Sequence, residues 1–305
     1  MGTADGREMG HYAPGVTNIR DLIVPQEPGF YYVQYNAYYE TDTYRDRSGD
    51  KVKNLPGPAG LPIDADVDLL AVSPVFLWST DFEIFGANYA FLVAPSISTT
   101  SVAAKLYGLE NSFKSDTDAS GLGDTFVQPL WLGWHDTHYD ISLGAGLYLP
   151  TGKYDADDND NIGLGFYTGQ VQLSSYYYLD EAQASAFMLA ATYETHSEKD
   201  DTDVTPGDHV SLEYGFSQYL SERLEIGIAG FSQWQVEKDS RPSGPLGLDP
   251  NAKGEVHALG FQVAFWATPQ LNLSFKYMKE MDAKARFEGD WFSLNLTVVP
   301  FAMFE

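Results

Sequence analysis

The sequence predicts an all-β fold, a transmembrane antiparallel β-barrel of about twelve strands with an N-terminal segment plugging the lumen. Three observations predict the wall of this barrel. Apolar residues recur at every second position over long stretches, which is the period of a β-strand. Short and long connections alternate along the chain, and aromatic residues gather at the ends of the alternating segments.

The first alternating segment begins at Phe30 and has two distinct faces. One face is apolar and aromatic and consists of Tyr31, Val33, Tyr35, Ala37 and Tyr39. The other face consists of Tyr32, Gln34, Asn36, Tyr38 and Glu40. The same pattern recurs to the end of the chain, and the predicted strands cover residues 29–45, 66–79, 82–96, 122–135, 138–150, 165–179, 183–197, 207–219, 222–236, 254–267, 269–284 and 290–301.

The predicted connections alternate in length. Short ones lie near residues 79–81, 136–137, 180–182, 220–222 and 268, and long ones cover 46–65, 97–121, 151–164, 198–206 and 238–253. A tight polar link at 285–289 joins the last two strands. An even number of strands with short turns on one side and long loops on the other is typical of a bacterial outer-membrane barrel, whose short turns face the periplasm.

Aromatic residues provide an independent indication of a membrane. The strand ends beside the short turns carry Trp78, Trp134, Tyr177, Tyr178, Tyr219, Phe265, Trp266 and, near the C-terminus, Phe301. Tyr31 and Tyr39 share a face, and their separation corresponds to a rise of roughly 19 Å on a tilted strand, close to the height of an apolar band. We therefore expect the protein to lie in the outer membrane of a Gram-negative bacterium. A soluble β-sandwich also has period two, but its outer face is polar.

Composition excludes several classes of protein. The net charge is −25, with only 18 Lys and Arg residues, which argues against a nucleic-acid partner. The absence of cysteine excludes disulfides, cysteine–zinc sites and thiol nucleophiles. We expect no cofactor and no metal. The first residues lack the basic start and apolar core of a signal peptide, so an exported protein would have lost its leader.

Residues 1–28 form a predicted N-terminal arm, and residues 29–305 form the barrel. The arm is rich in turn formers at 10–15 and 25–29, which interrupt regular structure. Leu22, Ile23 and Val24 can pack against apolar side chains of the interior, and Arg20 and Asp21 can pair with charges in the lumen. We expect the arm to narrow the pore, against the alternative of a disordered periplasmic tail. The residues expected in the plug are His11, Tyr12, Pro14, Arg20, Asp21, Leu22, Ile23 and Val24.

Polar residues at alternating positions are expected to face the lumen. They are Gln34, Asn36, Asp140, Gln170, Gln172, Glu213, Gln262, Asn272, Lys276 and Asn295. They predict a water-filled or partly plugged interior. The alternative is that they simply fill a closed barrel.

Three neighbouring predicted strands depart from the alternation. Residues 69–78, 85–95 and 126–134 are largely apolar on both faces, and they contain Pro74, Pro95 and Pro129. Proline donates no ladder hydrogen bond, so these positions predict a weakened wall. We hypothesise that a small molecule binds inside against Phe76, Phe91 and Trp131 and leaves sideways near the prolines. The alternative is that the apolar face packs on the arm and that the prolines lie at harmless bulges.

Other chemical motifs have simple explanations. The run 155–161 is similar to a calcium-binding loop but lacks the glycine and the closing glutamate of an EF-hand. We favour a solvated acidic extracellular loop, which can meet lipopolysaccharide through divalent cations. His135 and His138 lie three apart beside a short turn, on opposite strand faces, which argues against a metal site. His196 and His209, with Asp200 and Asp208, are candidates for the Asp–His pair of a surface protease.

Several motifs resemble those of one family. They are Gly10–Gly15 in the arm, Pro28–Tyr31 at the first strand, Gly123-Asp124 before the fourth strand and Leu149–Tyr154 after the fifth. Their order and spacing are similar to those of the outer-membrane channels named for the meta pathway of phenol degradation. The resemblance implies a twelve-stranded barrel, an N-terminal segment folded into the lumen, and uptake of small hydrophobic molecules such as aromatic compounds destined for degradation.

The expected function is therefore passive uptake of small hydrophobic molecules through a monomeric barrel that contacts outer-membrane lipid and lipopolysaccharide. A narrow porin for small polar solutes is the competing channel. A barrel-type outer-membrane hydrolase is the competing enzyme. The residues do not name the substrate.

Overall fold

A computed structural model describes residues 10–52, 55–56, 62–106, 113–158, 160–240 and 251–300. Regular structure in these residues consists of β-strands. No helix in the described ranges has the length and apolar character needed to cross a membrane. Residues 1–9 of the predicted arm and the predicted interfacial Phe301 lie outside the described residues.

The strands are, in chain order, β1 Gly29–Thr41, β2 Tyr44–Arg45, β3 Leu55–Pro56, β4 Pro62–Ile84, β5 Ala87–Ala94, β6 Ile97–Leu106, β7 Phe113–Leu122, β8 Thr125–His135, β9 Tyr139–Leu149, β10 Thr168–Tyr178, β11 Ser185–His196, β12 His209–Tyr219, β13 Leu224–Gln235, β14 Glu255–Thr268, β15 Leu271–Lys284, β16 Arg286–Phe287 and β17 Asp290–Val298.

Twelve of these strands close into an antiparallel barrel. The order around the wall is β1, β17, β15, β14, β13, β12, β11, β10, β9, β8, β5 and β4. The pairing of β1 with β4 closes the ring. Closure gives each strand of the ring a neighbour on both sides, which removes the exposed edges of an open sheet. The predicted twelve-stranded barrel is confirmed.

One predicted long loop is a hairpin instead. Residues 97–121 were expected to be an irregular loop. Instead, β6 pairs with the N-terminal half of β4, and β7 pairs with β6. The sequence here is rich in Ser and Thr and lacks an apolar face. It therefore shows no amphipathic alternation, although β-branched residues such as Thr and Val suit strands. The expected turn at 79–81 also lies later, at Phe85-Gly86, where both residues have positive φ, 52° and 72°.

Over most of its circumference the barrel is polar inside and apolar outside. On β10, for example, Gln170, Gln172 and Ser174 are buried, whereas Val171 and Leu173 are exposed. Of the residues predicted to face the lumen, the buried ones are Asp140, Gln170, Gln172, Glu213, Gln262, Asn272, Lys276 and Asn295. A soluble fold has the opposite pattern, so this inversion shows that lipid is the outer solvent.

The prediction that Gln34 and Asn36 of β1 face the lumen is wrong. Tyr31, Val33, Ala37 and Tyr39 are the buried residues of this strand. Because neighbouring residues point to opposite faces, Gln34 and Asn36 lie on the outer face. The physical reason is that the aromatic face of β1 packs against other buried side chains, including Val24 and Leu22 of the arm.

Candidate functional site

An apolar surface covers the inner side of four adjacent strands, β1, β4, β5 and β8. Its residues, named here the inner apolar wall, are Tyr31, Val33, Val75, Leu77, Ala90, Ala94 and Trp131, with Tyr35, Leu92 and Phe126 at its margins. Val24 of the arm packs against the Trp131 end. Hydrocarbon therefore lines this side of the barrel interior, whereas the opposite strands present amides, hydroxyls and charges.

Trp131 belongs to this wall, but Phe76 and Phe91 do not. Trp131 is 6% exposed and faces inward, and its ladder partner is Ala90. Phe76 and Phe91 are 42% and 40% exposed and lie on the outer face. The hypothesis that these three side chains share one inner site is corrected accordingly.

The error in orientation has a clear cause. Where both faces of a strand are apolar, the sequence contains no polar residue to show which face is inside. The inner residues of these strands are the neighbours of the predicted ones, Val75, Leu77 and Leu92. The signal that identifies them is pairing, because Tyr31 on the buried face of β1 lies opposite Leu77.

Pro74 and Pro95 coincide with an interruption in the wall. The ladder pairs on either side of it are Val72 with Ile97 and Phe76 with Val93. Both pairs have the same register, which places Pro74 opposite Pro95. Neither residue can donate a ladder hydrogen bond, and in the described register residues 73–75 and 94–96 are skipped. Across the interruption the Ser73 hydroxyl donates to the Pro95 carbonyl oxygen at 3.3 Å.

Pro129 lies at a β-bulge rather than at a gap. The register of β8 shifts between Val127 and Leu130 against β9, and also against β5. An extra residue in one strand leaves a position unpaired and bends that strand. The bulge alternative predicted for the prolines therefore applies to Pro129, whereas Pro74 and Pro95 lie at the skipped positions of the ladder.

The upper part of the arm binds buried carboxylates on the inner face. The Tyr12 backbone N–H donates to Glu194 at 2.8 Å. The Tyr12 hydroxyl donates to Glu213, and the Gly15 N–H donates to the same carboxylate at 2.7 Å. These contacts give both oxygens of Glu213 and one oxygen of Glu194 a donor, whereas Glu194 Oε2 has no hydrogen-bond partner among the described residues. Pro14 is also buried.

The middle of the arm is held by side chains of β14, β15 and β17. The Lys276 ammonium donates to the Thr17 carbonyl oxygen at 2.8 Å, and the Ile19 N–H donates to Gln262 at 2.9 Å. The Asn295 amide donates to Asn18 at 3.1 Å. Residues predicted to line the lumen thus contact the arm.

The end of the arm contains the two charged residues and the three apolar residues that were predicted to hold it in the lumen. Arg20 donates to Glu225 at 2.6 Å and lies over the Tyr219 ring at 4.8 Å. Asp21 accepts from the Tyr35 hydroxyl at 2.8 Å rather than from a cation. Leu22 and Val24 are buried, and Ile23 packs against the cluster that contains Leu22. A Cβ added at Gly133 would lie 2.6 Å from Val24 Cβ, so the wall is shaped for close approach here.

His11 connects the arm to the loops at the opposite end of the barrel from the short turns. Its Nε2 lies 2.9 Å from Asp124, its Nδ1 lies 2.7 Å from the Thr168 hydroxyl, and its ring stacks on Tyr148. The Thr168 hydroxyl also contacts His196 at 2.7 Å. The predicted plug residue His11 is therefore the arm's contact with the loop side.

The possible protease and metal residues do not form such sites. His196 contacts His209 at 3.1 Å, and the Asp208 carboxylate accepts from the Tyr193 hydroxyl instead of from either histidine. In the acidic run, Lys153 pairs with Asp160 at 2.6 Å. Across the described ranges, no group of three His, Asp or Glu residues is arranged to hold a metal ion.

Asp124, between β7 and β8, joins three parts of the chain. It accepts from His11 at 2.9 Å, from the Gly152 N–H at 2.9 Å and from the Leu164 N–H at 2.8 Å. Burial raises the pKa of its carboxyl, but the hydrogen bonds from His11 and the two backbone N–H groups outweigh that cost and lower the pKa below its ordinary value. Sequence reasoning noted Asp124 only as part of a family motif.

Asp124→Ala is expected to loosen the arm and the 151–164 loop together. Three donors lose their acceptor, and each buried donor left unpaired costs about 1–3 kcal/mol. The free energy of unfolding, measured by urea titration in lipid vesicles, should fall accordingly. Asp124→Asn keeps the shape and one carbonyl acceptor and should lose less. Wild-type stability in the Ala variant would contradict this role.

Because its pKa is lowered, the contribution of Asp124 to the free energy of unfolding is expected to depend on pH. A group whose folded pKa is lowered stabilises the fold above its unfolded pKa, and that stability is lost as pH falls through the folded value. The stability difference between wild type and Asp124→Asn should therefore be full at neutral pH and shrink below about pH 4.

The closed wall, the apolar outer face, the aromatic strand ends and the buried polar interior define an outer-membrane β-barrel of the channel class. The chain belongs to the family described as "Putative MetA-pathway of phenol degradation", whose model matches residues 41–296. The predicted family and the predicted location in the outer membrane are confirmed.

A solved outer-membrane channel shares this fold. The COG4313 outer membrane channel from Pseudomonas putida F1 is 15% identical, with a TM-score of 0.70, covering 93% of this chain and 100% of that one. A FadL homologue of Pseudomonas aeruginosa is 11% identical, with a TM-score of 0.41, covering 88% and 90%. The β domain of the Bordetella autotransporter BrkA is 10% identical, with a TM-score of 0.45, covering 90% and 100%. No curated protein matches the sequence.

Proposed function

We propose that this protein is a channel for passive uptake of small hydrophobic molecules, with aromatic compounds as the expected substrates. The observation that carries the proposal is the inner apolar wall from Tyr31 to Trp131. A porin for sugars needs polar groups around its lumen, because each hydroxyl of a sugar must keep a hydrogen-bond partner. An apolar solute instead gains free energy on this wall.

The arm is proposed to close the aqueous path. Residues 10–24 contact inner side chains from β9 to β17, including Ser142, Glu213, Gln262 and Asn295. Buried polar side chains that a wide pore would leave in water are thereby paired with the arm. The division into an arm, 1–28, and a barrel, 29–305, follows from this role.

Exit is proposed to be lateral, into the bilayer between β4 and the β5–β6 segment. The inner residue Val75 and the outer residue Phe76 both follow Pro74 directly, so apolar side chains lie on the inner and the outer side of the gap. Phe76 and Phe91 then belong to the outer side of the route, and Trp131 to the inner side. Lateral exit would spare an apolar solute from crossing the aqueous periplasm.

The partners proposed from the sequence remain part of this function. We propose a monomer whose outer face contacts lipid, with the acidic loops meeting lipopolysaccharide through divalent cations. Neither a cofactor nor an enzymatic step is part of the proposal.

Liposome swelling separates the proposed function from a narrow porin. Vesicles containing the protein should swell slowly in arabinose or glucose, because the arm fills the polar interior. The same vesicles should take up an apolar fluorescent probe faster than empty vesicles. Rapid, unselective swelling with sugars would overturn hydrophobic uptake, and turnover of a phospholipid or peptide by the pure protein would overturn both channel readings.

A further inference from the structure

Three alternate residues on β1 form a hydrogen-bonded chain on the outer surface. The Tyr32 hydroxyl donates to the Gln34 amide oxygen at 2.8 Å, and the Gln34 amide donates to Asn36 at 2.7 Å. The Asn36 amide donates to the Leu294 carbonyl oxygen at 2.6 Å. We name Tyr32, Gln34 and Asn36 the outer polar strip.

The strip lies in apolar surroundings at mid-height of the wall. Its ladder neighbours are Phe76, Pro74 and Val72 on β4, and Leu296 on β17 is paired with Gln34. Phe30 and Tyr38 mark the two aromatic ends of this strand face, and Gln34 is midway between them. Hydrocarbon is the solvent at this level, where an unpaired amide is costly.

The strip also has unused hydrogen-bonding capacity. A primary amide has two N–H donors and an oxygen with two lone pairs. The described contacts use one N–H of Gln34 and one of Asn36. Because these groups are neutral and include donors and acceptors, they match a neutral hydroxyl or carbonyl better than an ion.

The strip adjoins the interruption in the wall. Gln34 is the ladder partner of Pro74, which itself lies opposite Pro95. Adjacent strands are about 4.8 Å apart. A molecule that leaves through the gap onto the outer face therefore arrives within one strand of Gln34.

We propose that the outer polar strip binds the neutral hydroxyl or carbonyl group of a small, otherwise apolar molecule on the bilayer-facing side of the exit. This inference rests on the proposed lateral route and narrows its substrate class. The inner apolar wall accepts the hydrocarbon part of such a molecule. The strip then replaces the hydrogen bonds that its polar group would otherwise lose in the bilayer.

The test compares two probes that differ by one hydroxyl, 2-naphthol and naphthalene. Binding of each to the full chain in phospholipid nanodiscs is measured by fluorescence, for wild type and for Gln34→Leu with Asn36→Leu. The expected result is about a three- to tenfold weaker binding of 2-naphthol in the variant, the value of one or more lost hydrogen bonds, with naphthalene unchanged.

Two further variants separate binding from wall integrity. Gln34→Leu alone keeps the Asn36 bond to Leu294 and should still weaken 2-naphthol binding. Gln218→Leu removes an outward amide on β12, away from the gap, and should leave both probes unchanged. If the Gln34 variants lose affinity for both probes equally, or keep wild-type affinity for 2-naphthol, the strip is not a binding site.

Uptake by vesicles distinguishes failure of this inference from failure of the proposed function. If wild type takes up neither probe faster than empty vesicles, the channel proposal fails. Selective 2-naphthol binding that depends on Gln34 would still support the strip. If wild type takes up both probes and the variant binds and takes up both as well as wild type does, the channel stands and the strip is overturned.

Discussion

Deletion of residues 3–24 is expected to raise the single-channel conductance several-fold in planar bilayers. Water would replace the arm beside Glu213, Gln262 and Lys276, which contact it in the intact protein. Conductance should rise because a water-filled lumen conducts ions. The exposed interior would include Glu194 and Glu213, so the larger current should prefer cations.

Deletion of residues 3–9 is the matched control for that experiment. It removes chain from the same end but retains every described contact of the arm, beginning at His11. Its conductance should remain near that of wild type. An unchanged conductance in the longer deletion would refute the plug, provided that the protein shows the heat-dependent gel mobility of a folded barrel.

A disulfide across the Pro74–Pro95 interruption is expected to abolish uptake of apolar probes. Ser73 and Ser96 lie opposite each other in the shared register of β4 and the β5–β6 segment. The chain has no native cysteine, so Ser73→Cys with Ser96→Cys introduces one defined pair. A bridge requires Cα atoms about 4.4–6.8 Å apart, so it would hold the wall closed. Reduction should restore uptake.

The control bridge lies in an uninterrupted ladder. Leu173→Cys with Ala191→Cys joins paired residues of β10 and β11 on the outer face. Oxidation of this pair should leave uptake unchanged. If the oxidised Ser73–Ser96 bridge leaves hydrophobic uptake intact, the lateral route is wrong and the molecule leaves by another path.

The sequence was sufficient to predict the barrel because its physical signal is repeated in every strand. Alternation such as Val171 and Leu173 against Gln170 and Gln172 follows directly from lipid on one side and polar contacts on the other. The arm was recognisable because turn formers and a short apolar run precede β1. Its individual partners, such as Glu213 and Asn295, lie far away in sequence and required the structure.

The candidate site was harder to predict because its signals are ambiguous. Phe76 and Val75 are both apolar, so composition cannot decide which of them faces the interior. Gln34 and Asn36 were placed inside because polar residues usually avoid lipid, yet they pair with each other outside. In contrast, the prolines carried a covalent signal, since a residue without an N–H weakens a ladder whatever surrounds it.

The contacts of the arm also have a consequence for the order of assembly. Asn18 contacts Ser274 and Asn295, which follow it by 256 and 277 residues. These contacts form only after nearly the whole chain has been delivered, and such distant pairings fold slowly. The same arm continues into β1, which pairs with both β4 and β17 to complete the ring. Ring closure and seating of the arm are therefore one late event, and a barrel that closes with its arm outside would have to reopen the β1–β17 seam to admit it.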